Sequence, residues 1–320
     1  FFIWSVRMSK VLSDHFSHIK VSEFPQTEKN GGKVITVPLE SSLKEAMNTL
    51  NENRIYSAPV YDKETSQYVG MVDMGDIVDF IAENFEETQT LGKGFEAILE
   101  QADKFVSAKV LDVIKASQRT TFVPISGEAS MLQVSLLFKE HGVHRVNVFD
   151  KDEKLVNIIT KSAVAEQLHK HHELLADIGQ KTPIELNLGT SPVISIDISE
   201  PTIKAFQLLR SSRLYAVPVV NKQLSNAIVA TISAKDVRDV CFDPSRLHLL
   251  YNPISKFLAT SKSEAIDIGT PSVTCKDSDP LKLIIDKLVV NKIHRVYVLE
   301  PNTNAPKKAI SLTDILNCLI

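Results

Sequence analysis

Four short stretches place hydroxyl or acidic residues where they could bind a polar ligand. They read Asp73-Met74-Gly75-Asp76, Thr160-Lys161-Ser162-Ala163, Ser233-Ala234-Lys235-Asp236 and Ser311-Leu312-Thr313-Asp314. A hydroxyl residue followed three positions later by an acid is typical of a capping box, which closes the first turn of a helix. The same carboxylates could instead accept hydrogen bonds from a ribose diol, as acids do in dinucleotide folds.

Two basic pairs stand at equivalent points of the chain. His144-Arg145 and His294-Arg295 each open a short strand-like run. Arginine offers a fixed fork of donors that suits phosphate oxygens, and histidine can donate beside it. One such pair could be a solvated strand end whose arginine meets a surface acid. Its recurrence indicates that both halves of the chain face ligands in the same way, and with the diol acceptors it predicts a nucleotide site.

The elements that would position these residues recur four times. The alignment rests on strand-like runs at 54–62, 143–150, 213–221 and 293–299. An amphipathic helix pattern with spacings of three and four residues precedes the runs, and a further strand and helix follow each one. We therefore predict an α/β (α+β) fold of four β-α-β-β-α repeats. One repeat cannot bury its sheet face alone, so we expect two halves of two repeats each.

The repeat pattern divides the chain into eight segments. The predicted boundaries are a lead-in at 1–32, repeat 1 at 33–85, a helical connector at 86–120, repeat 2 at 121–170, a linker at 171–191, repeat 3 at 192–242, a connector at 243–271 and repeat 4 at 272–320. The apolar residues 1–7 precede Met8, and we interpret them as an extension ahead of a translation start rather than an anchoring or partner-binding segment.

Composition excludes several classes of protein. The 320 residues carry a formal net charge of −3, so nothing suggests nucleic-acid binding, and no apolar run approaches the length of a membrane helix. Cys241, Cys275 and Cys318 are widely spaced, which indicates a reducing compartment and no disulfide framework. We find no P-loop, nucleophile elbow or GxGxxG after a strand, and we predict no enzymatic activity and no cofactor.

A histidine cluster at the end of repeat 2 is the one stretch that suggests a metal. His169, His171 and His172 lie within four residues of one another. Zinc sites usually draw on cysteine as well as histidine, and this cluster has no cysteine nearby. We therefore favour a solvated helix end and predict no metal.

The quoted motifs resemble a known family. The repeats look like CBS (cystathionine-β-synthase type) domains paired into two Bateman modules, and they most resemble the gamma subunits of AMP-activated protein kinase. Fungal phosphatase regulators of the Sds type are a second likeness. The stretches that carry the resemblance are 69–76, 188–190, 293–295 and 310–316. It implies a flattened disc with nucleotide clefts between paired repeats.

The resemblance also implies roles for individual residues. Aspartates of the helix-start motif would hold the ribose, basic residues would hold the phosphates, and hydroxyl residues would add contacts. On this sequence the aspartates are Asp76, Asp236 and Asp314, the basic residues are His144, Arg145, His294 and Arg295, and the hydroxyl residues are Thr190, Ser233, Ser311 and Thr313. Ala163 and Tyr56 replace basic residues of the family, so we expect one or two usable sites, with Asp314 first, Asp236 second and Asp76 last.

The implied function is that of a non-catalytic regulatory subunit. AMP, ADP or ATP would bind between repeats and change how the chain modulates a protein kinase complex. We expect a cytoplasmic location, with the nucleus as a second one. CBS pairs often associate, so the chain could also form a homodimer. The alternative is a constitutive protein–protein scaffold or a phosphatase regulator whose nucleotide clefts are vestigial.

Overall fold

The computed structural model describes residues 10–25, 34–85, 105, 107–117, 119, 121–241, 244–264 and 273–319. Three sequence expectations lie outside these residues. They concern the terminal segment 1–7, residues 86–104 of the predicted helical connector, and residues 265–271 of the second connector. The remaining expectations about secondary structure can be compared with the described chain.

All four repeats fold as β-α-β-β-α, as predicted. After α1 (Lys10–His18), repeat 1 consists of β1 (Val37–Pro38), α2 (Leu43–Glu52), β2 (Ser57–Asp62), β3 (Gln67–Asp73) and α3 (Met74–Asn84), and α4 (Val110–Ser117) follows in the connector. Repeat 2 consists of β4 (Pro124–Ser126), α5 (Met131–Glu140), β5 (Arg145–Phe149), β6 (Leu155–Thr160) and α6 (Lys161–Lys170).

The second half repeats this order. Repeat 3 consists of β7 (Ile196–Asp197), α7 (Thr202–Ser211), β8 (Ala216–Asn221), β9 (Ala227–Ser233), a 3-10 turn (Ala234–Val237) and α8 (Arg238–Cys241). After α9 (Ile254–Glu264), repeat 4 consists of β10 (Thr274–Cys275), α10 (Leu281–Val290), β11 (Arg295–Leu299), β12 (Pro306–Ser311) and α11 (Leu312–Leu319). No helix of the described residues has the length and hydropathy needed to cross a membrane.

Each repeat forms its own three-stranded sheet with the same topology. The first strand pairs in parallel with the second, and the second pairs antiparallel with the third. A parallel pair needs a crossover, and the first helix of the repeat supplies it. The turn from that helix into the second strand contains one residue with a left-handed backbone in every repeat: Arg54, Gly142, Arg213 and Lys292. The helix therefore ends at the same point relative to the strand each time.

Alternate repeats, rather than consecutive ones, share a hydrophobic core. One compact unit comprises Ile35–Phe122 and Ile194–Ser272, which contain repeats 1 and 3, and we call it the odd unit. The even unit comprises Phe1–Val34, Val123–Val193 and Val273–Ile320, with repeats 2 and 4. The expectation that each half of the chain would form one unit is therefore corrected.

The reason for this grouping lies in the helices. In the odd unit, α3 of repeat 1 packs against α7 of repeat 3, and both bury their apolar faces in one continuous core. In the even unit, α6 of repeat 2 packs against α10 of repeat 4 in the same manner. The amphipathic stripes revealed which faces are buried, but any two stripes are compatible, so periodicity alone could not select the partner.

Truncation of a core aromatic residue tests this arrangement. Phe206 on α7 is fully buried, and its ring meets that of Phe257 edge to face at 6.3 Å. We expect Phe206→Ala to lower the free energy of unfolding by about 3–5 kcal/mol, because transfer free energy is lost and a cavity remains. Urea denaturation monitored by circular dichroism measures the change. Leu224→Ala, at a side chain that is 57% exposed, is the control and should change it by less than about 0.5 kcal/mol.

Candidate functional site

In every repeat one backbone arrangement brings the second strand to the start of the second helix. The first residue of that strand pairs with the residue that precedes the helix, as Arg145 does with Thr160 and Arg295 with Ser311. The residue before the strand accepts a hydrogen bond at its carbonyl oxygen from the first amide of the helix. The amide of Lys161 donates to His144 at 3.1 Å, and the corresponding bond to His294 measures 3.0 Å. Both His-Arg pairs therefore lie directly beside a helix start.

Asp314 forms the capping box at the start of α11. Its Oδ2 accepts from the amide and from the hydroxyl of Ser311, both at 2.7 Å, and the Ser311 hydroxyl accepts from the amide of Asp314 at 3.2 Å. These bonds satisfy donors that a helix terminus leaves open. In the described part of the chain these bonds engage Oδ2 of the half-buried carboxylate. Capping and ligand binding, which the sequence offered as alternatives, are thus compatible in one side chain.

Side chains of repeats 2 and 4 meet across the even unit. The Nζ of Lys161, at the start of α6, donates to the hydroxyl of Thr313 at 3.1 Å. The hydroxyl of Ser162 lies 3.1 Å from Nε2 of His294. The two helix starts and the two basic pairs therefore belong to one site.

Five basic side chains lie within electrostatic reach of one another at this site, which we call the cationic groove. Its members are His144, Arg145, Lys161, His294 and Arg295. The pKa of His144 is lowered to about 3, first because the surrounding protein desolvates its imidazole and then because the other four members repel the charged form. His144 is neutral at physiological pH although the residue keeps an exposed surface. Concentrated positive charge of this kind favours an anionic ligand.

Lys161 is the member of the groove that sequence reasoning did not assign. The residue is only 3% exposed, and its Nζ lies 5.9 Å from the centroid of the Phe138 ring. Burial lowers the pKa of the amine to about 8, while the nearby Asp314 acts in the opposite direction. A signal did exist in the sequence, because a lysine at the first position of a helix opposes the helix dipole and needs another reason to be there.

The odd unit fills the equivalent positions with different chemistry. Ser57 pairs with Asp73, and Ala216 pairs with Ser233, in the register that Arg145 and Arg295 have in the even unit. Ser57 and Ala216 therefore replace the two arginines. The preceding residues, Tyr56 and Tyr215, replace the two histidines. The hydroxyl of Tyr215 donates to Oδ2 of Asp73 at 3.1 Å, and its ring leaves no room for a side chain at Gly75, where a Cβ would come within 2.7 Å. The protein itself occupies this cleft.

Asp76, a predicted site residue, is enclosed in the odd unit. The residue is fully buried, its Oδ2 accepts from the amide of Asp73 at 2.8 Å, and its Oδ1 accepts from the hydroxyl of Ser117 at 2.5 Å. Arg119 lies alongside and pairs through Nε with the carboxylate of Asp79 at 2.7 Å. The structure therefore does not present Asp76 to a ligand, because its capping and core bonds use both carboxylate oxygens.

Asp236, Ser233 and Thr190 make other contacts within the described chain. Asp236 caps its own turn by accepting from the hydroxyl of Ser233 at 2.7 Å, and it belongs to the odd unit, whose second strands begin with Ser57 and Ala216 rather than with arginine. Thr190 belongs to the even unit and exchanges two backbone bonds with Ala309, at 2.8 and 3.0 Å. Gly189 has a φ of +91° and lies so close to the Ala309 carbonyl that a Cβ would come within 2.8 Å of it. The two predicted hydroxyl contacts, Thr190 and Ser233, remain predictions.

Replacement of Lys161 by the uncharged Met tests the cost of the buried charge. The folded state holds the amine with a pKa near 8, whereas the ordinary value is 10.5, so between these values the unfolded chain binds more protons. The free energy of unfolding of the wild type should therefore rise as pH increases from 8 to 10.5. We expect Lys161→Met to be the more stable protein at pH 7, by about 3 kcal/mol, and this difference should vanish above pH 10.5.

Denaturant titrations at pH 7, 9 and 10.5 measure this effect. Lys139→Met, at an exposed lysine on α5, is the matched control and should show no such dependence. A Lys161→Met protein that is less stable than the wild type at pH 7 would show that the amine is compensated by the protein itself.

The comparisons with known proteins agree with this architecture. The family model of the CBS domain matches residues 21–83, 113–170 and 185–243. A solved structure from Methanocaldococcus jannaschii, proposed as an archaeal homologue of g-AMPK, superposes with a TM-score of 0.71 at 18% identity, covering 94% of this chain and 100% of that one. At that identity the superposition establishes the fold alone.

Several relatives are similar to the chain over most of its length. The SNF1-related protein kinase regulatory subunit gamma-1-like protein of Arabidopsis thaliana is 26% identical, covering 98% of this chain and 88% of the relative. The 5'-AMP-activated protein kinase subunit gamma of Saccharomyces cerevisiae is 24% identical, with 89% and 86% covered. Protein SDS23 of Eremothecium gossypii is 26% identical, with 92% and 62% covered. With three segments matched by the family model and four repeats of one topology, the chain belongs to the CBS-domain family.

Proposed function

We propose that this chain is a non-catalytic regulatory subunit that binds an adenine nucleotide in the cationic groove and thereby modulates a protein kinase complex. The observation that supports it most directly is the convergence of Lys161 and the two His-Arg pairs on the helix start that carries Asp314. Relatives named as kinase gamma subunits support the regulatory part of the proposal.

The groove has the chemistry that a nucleoside phosphate requires. Arg145 and Arg295 supply planar forks for phosphate oxygens, and Lys161 supplies a point charge in a largely buried position. Asp314 is a half-buried carboxylate within electrostatic reach of Lys161, and it would accept from the ribose hydroxyls. The negative charge of a phosphate would also offset the electrostatic repulsion among the basic side chains of the groove. Part of the binding free energy would come from this reduced repulsion.

The two units would then differ in what they bind. The even unit offers the cationic groove, whereas the odd unit places its own tyrosines at the histidine positions and small residues at the arginine positions. We therefore expect one adenine nucleotide per chain. Ligand binding changes the partner surface only to the extent that the ligand prefers one arrangement of the repeats over another. The kinase partner, a homodimer and a cytoplasmic or nuclear location remain predictions.

Calorimetric titration of AMP, ADP and ATP into the full chain tests the proposal, with Asp314→Ala as the informative variant. We expect saturable binding at a stoichiometry of about one, and a loss of at least 10-fold in affinity for the variant, because a ribose acceptor and its charge are removed. Glu45→Ala is the matched control, since Glu45 closes the same kind of capping box with Ser42 at the start of α2 in the odd unit. Both variants should lose about 1 kcal/mol of stability, but only Asp314→Ala should lose binding.

A second pair of variants tests the phosphate contacts. Arg295→Gln should weaken binding of all three adenylates by at least 10-fold, because a charge-assisted bond to phosphate is lost. Arg238→Gln is the control, because Arg238 lies over the ring of Tyr56 in the odd unit, 5.7 Å from its centroid. Equal losses in both variants would point to general electrostatics rather than to the groove.

The remaining outcomes are also informative. A folded wild-type chain that binds no adenylate would contradict the nucleotide proposal and favour a constitutive scaffold or a phosphatase regulator. Nucleotide hydrolysis that disappears with Asp314→Ala would contradict the non-catalytic assignment.

A further inference from the structure

Two of the three clustered histidines meet an aspartate from another repeat. Nδ1 of His169 lies 2.6 Å from Oδ1 of Asp286, and Nε2 of His172 lies 2.8 Å from the same oxygen. The two imidazole rings are edge to face, with centroids 5.8 Å apart. One potential ligand atom from each of His169, His172 and Asp286 lies within 4.8 Å of the other two, so the three side chains could hold one metal ion.

The local fold explains why these two histidines converge and the third does not. His169 belongs to the last turn of α6, which ends at Lys170. His171 then leaves the helical conformation, and a 3-10 segment begins at His172. His169, before this break, and His172, after it, both reach Asp286. His171 turns instead to Glu173, with its Nδ1 3.0 Å from that carboxylate.

Asp286 comes from α10 of repeat 4, the helix that packs against α6. Its neighbours Ile284, Ile285 and Leu288 are buried in the shared core, so the backbone beneath Asp286 is held in place. The three side chains are 28–38% exposed, which leaves the cluster open to ions from solvent. A rigid frame with solvent access is what a metal site needs.

We propose that His169, His172 and Asp286 form a binding site for a divalent transition metal ion, with zinc as the best match. Two imidazole nitrogens and one carboxylate oxygen are a ligand set that zinc accepts, with water in the fourth position. Metal–ligand bonds of about 2.0–2.1 Å in a tetrahedral site separate the ligand atoms by about 3.3–3.4 Å. The observed separations of 2.6 and 2.8 Å need to open by less than about 1 Å, which side-chain torsions can supply.

The exchange of hydrogen for metal balances in charge and atoms. A carboxylate can only accept, so both imidazole nitrogens that face Asp286 carry hydrogen in the metal-free arrangement. A neutral imidazole binds the ion after its hydrogen moves to the other ring nitrogen, while an imidazolium releases a proton to solvent. In the metal-free arrangement, hydrogen bonds to one oxygen of Asp286 join repeats 2 and 4. The bound ion would take the place of these hydrogen bonds. This inference is independent of the proposed nucleotide function.

Equilibrium dialysis of the full chain against ZnCl₂ tests the site, with His172→Gln as the informative variant. We expect the wild type to bind one zinc ion that His172→Gln loses or binds at least 10-fold more weakly. His171→Gln is the matched control, since it removes the neighbouring histidine that faces Glu173, and it should bind zinc like the wild type. MgCl₂ should not compete, because Mg²⁺ prefers oxygen ligands.

A spectroscopic measurement guards against a variant that simply misfolds. The cobalt(II) form of the wild type should show the visible absorption of a tetrahedral site, and Asp286→Asn, checked for folding by circular dichroism, should weaken or shift it. Zinc should also raise the melting temperature of the wild type and of His171→Gln but not of His172→Gln. Zinc binding that survives both His172→Gln and Asp286→Asn, or that falls equally with His171→Gln, would overturn the proposal, as would a wild type that binds no zinc.

Discussion

The rest of the structure depends on one backbone hydrogen bond that every repeat makes. The first amide of the second helix donates to the carbonyl of the residue before the second strand, at His144, His294, Tyr56 and Tyr215. The helix start would otherwise leave this amide without a partner. The bond fixes the side chain before the strand beside the helix start, and the strand pairing adds the next side chain. In the even unit this arrangement brings His144 and Arg145 within electrostatic reach of His294 and Arg295.

The two units built on this frame carry different side chains at these positions. The even unit places two histidines and two arginines at these positions and adds the buried amine of Lys161. The odd unit places tyrosines, a serine and an alanine there, and Tyr215 bonds to Asp73 across the cleft. A change of a few residues on the same backbone arrangement thus replaces two histidines and two arginines by uncharged side chains, one of which, Tyr215, packs against the core. This contrast follows from side-chain chemistry rather than from fold.

The buried charge of Lys161 opposes stability. A lysine that is 3% exposed among other cations costs free energy in the absence of a ligand, and the direction of its pKa shift reflects that cost. An anion beside Lys161 would offset this cost. The helix α6 that begins with Lys161 ends beside the cluster of His169, His172 and Asp286, so one helix of repeat 2 contributes to both candidate sites.

The sequence by itself determined the local elements, because each depends on neighbouring residues. Helical spacing, capping residues and alternating strands predicted four β-α-β-β-α repeats, and the recurrence of His-Arg predicted that both halves of the chain face ligands in the same way. Only the tertiary structure decided which repeats share a core, since every apolar stripe offers the same kind of face. It also decided that Asp76 is enclosed, that Lys161 enters the groove and that Asp286 meets two histidines. These outcomes join residues more than 40 positions apart, and no local pattern encodes such distances.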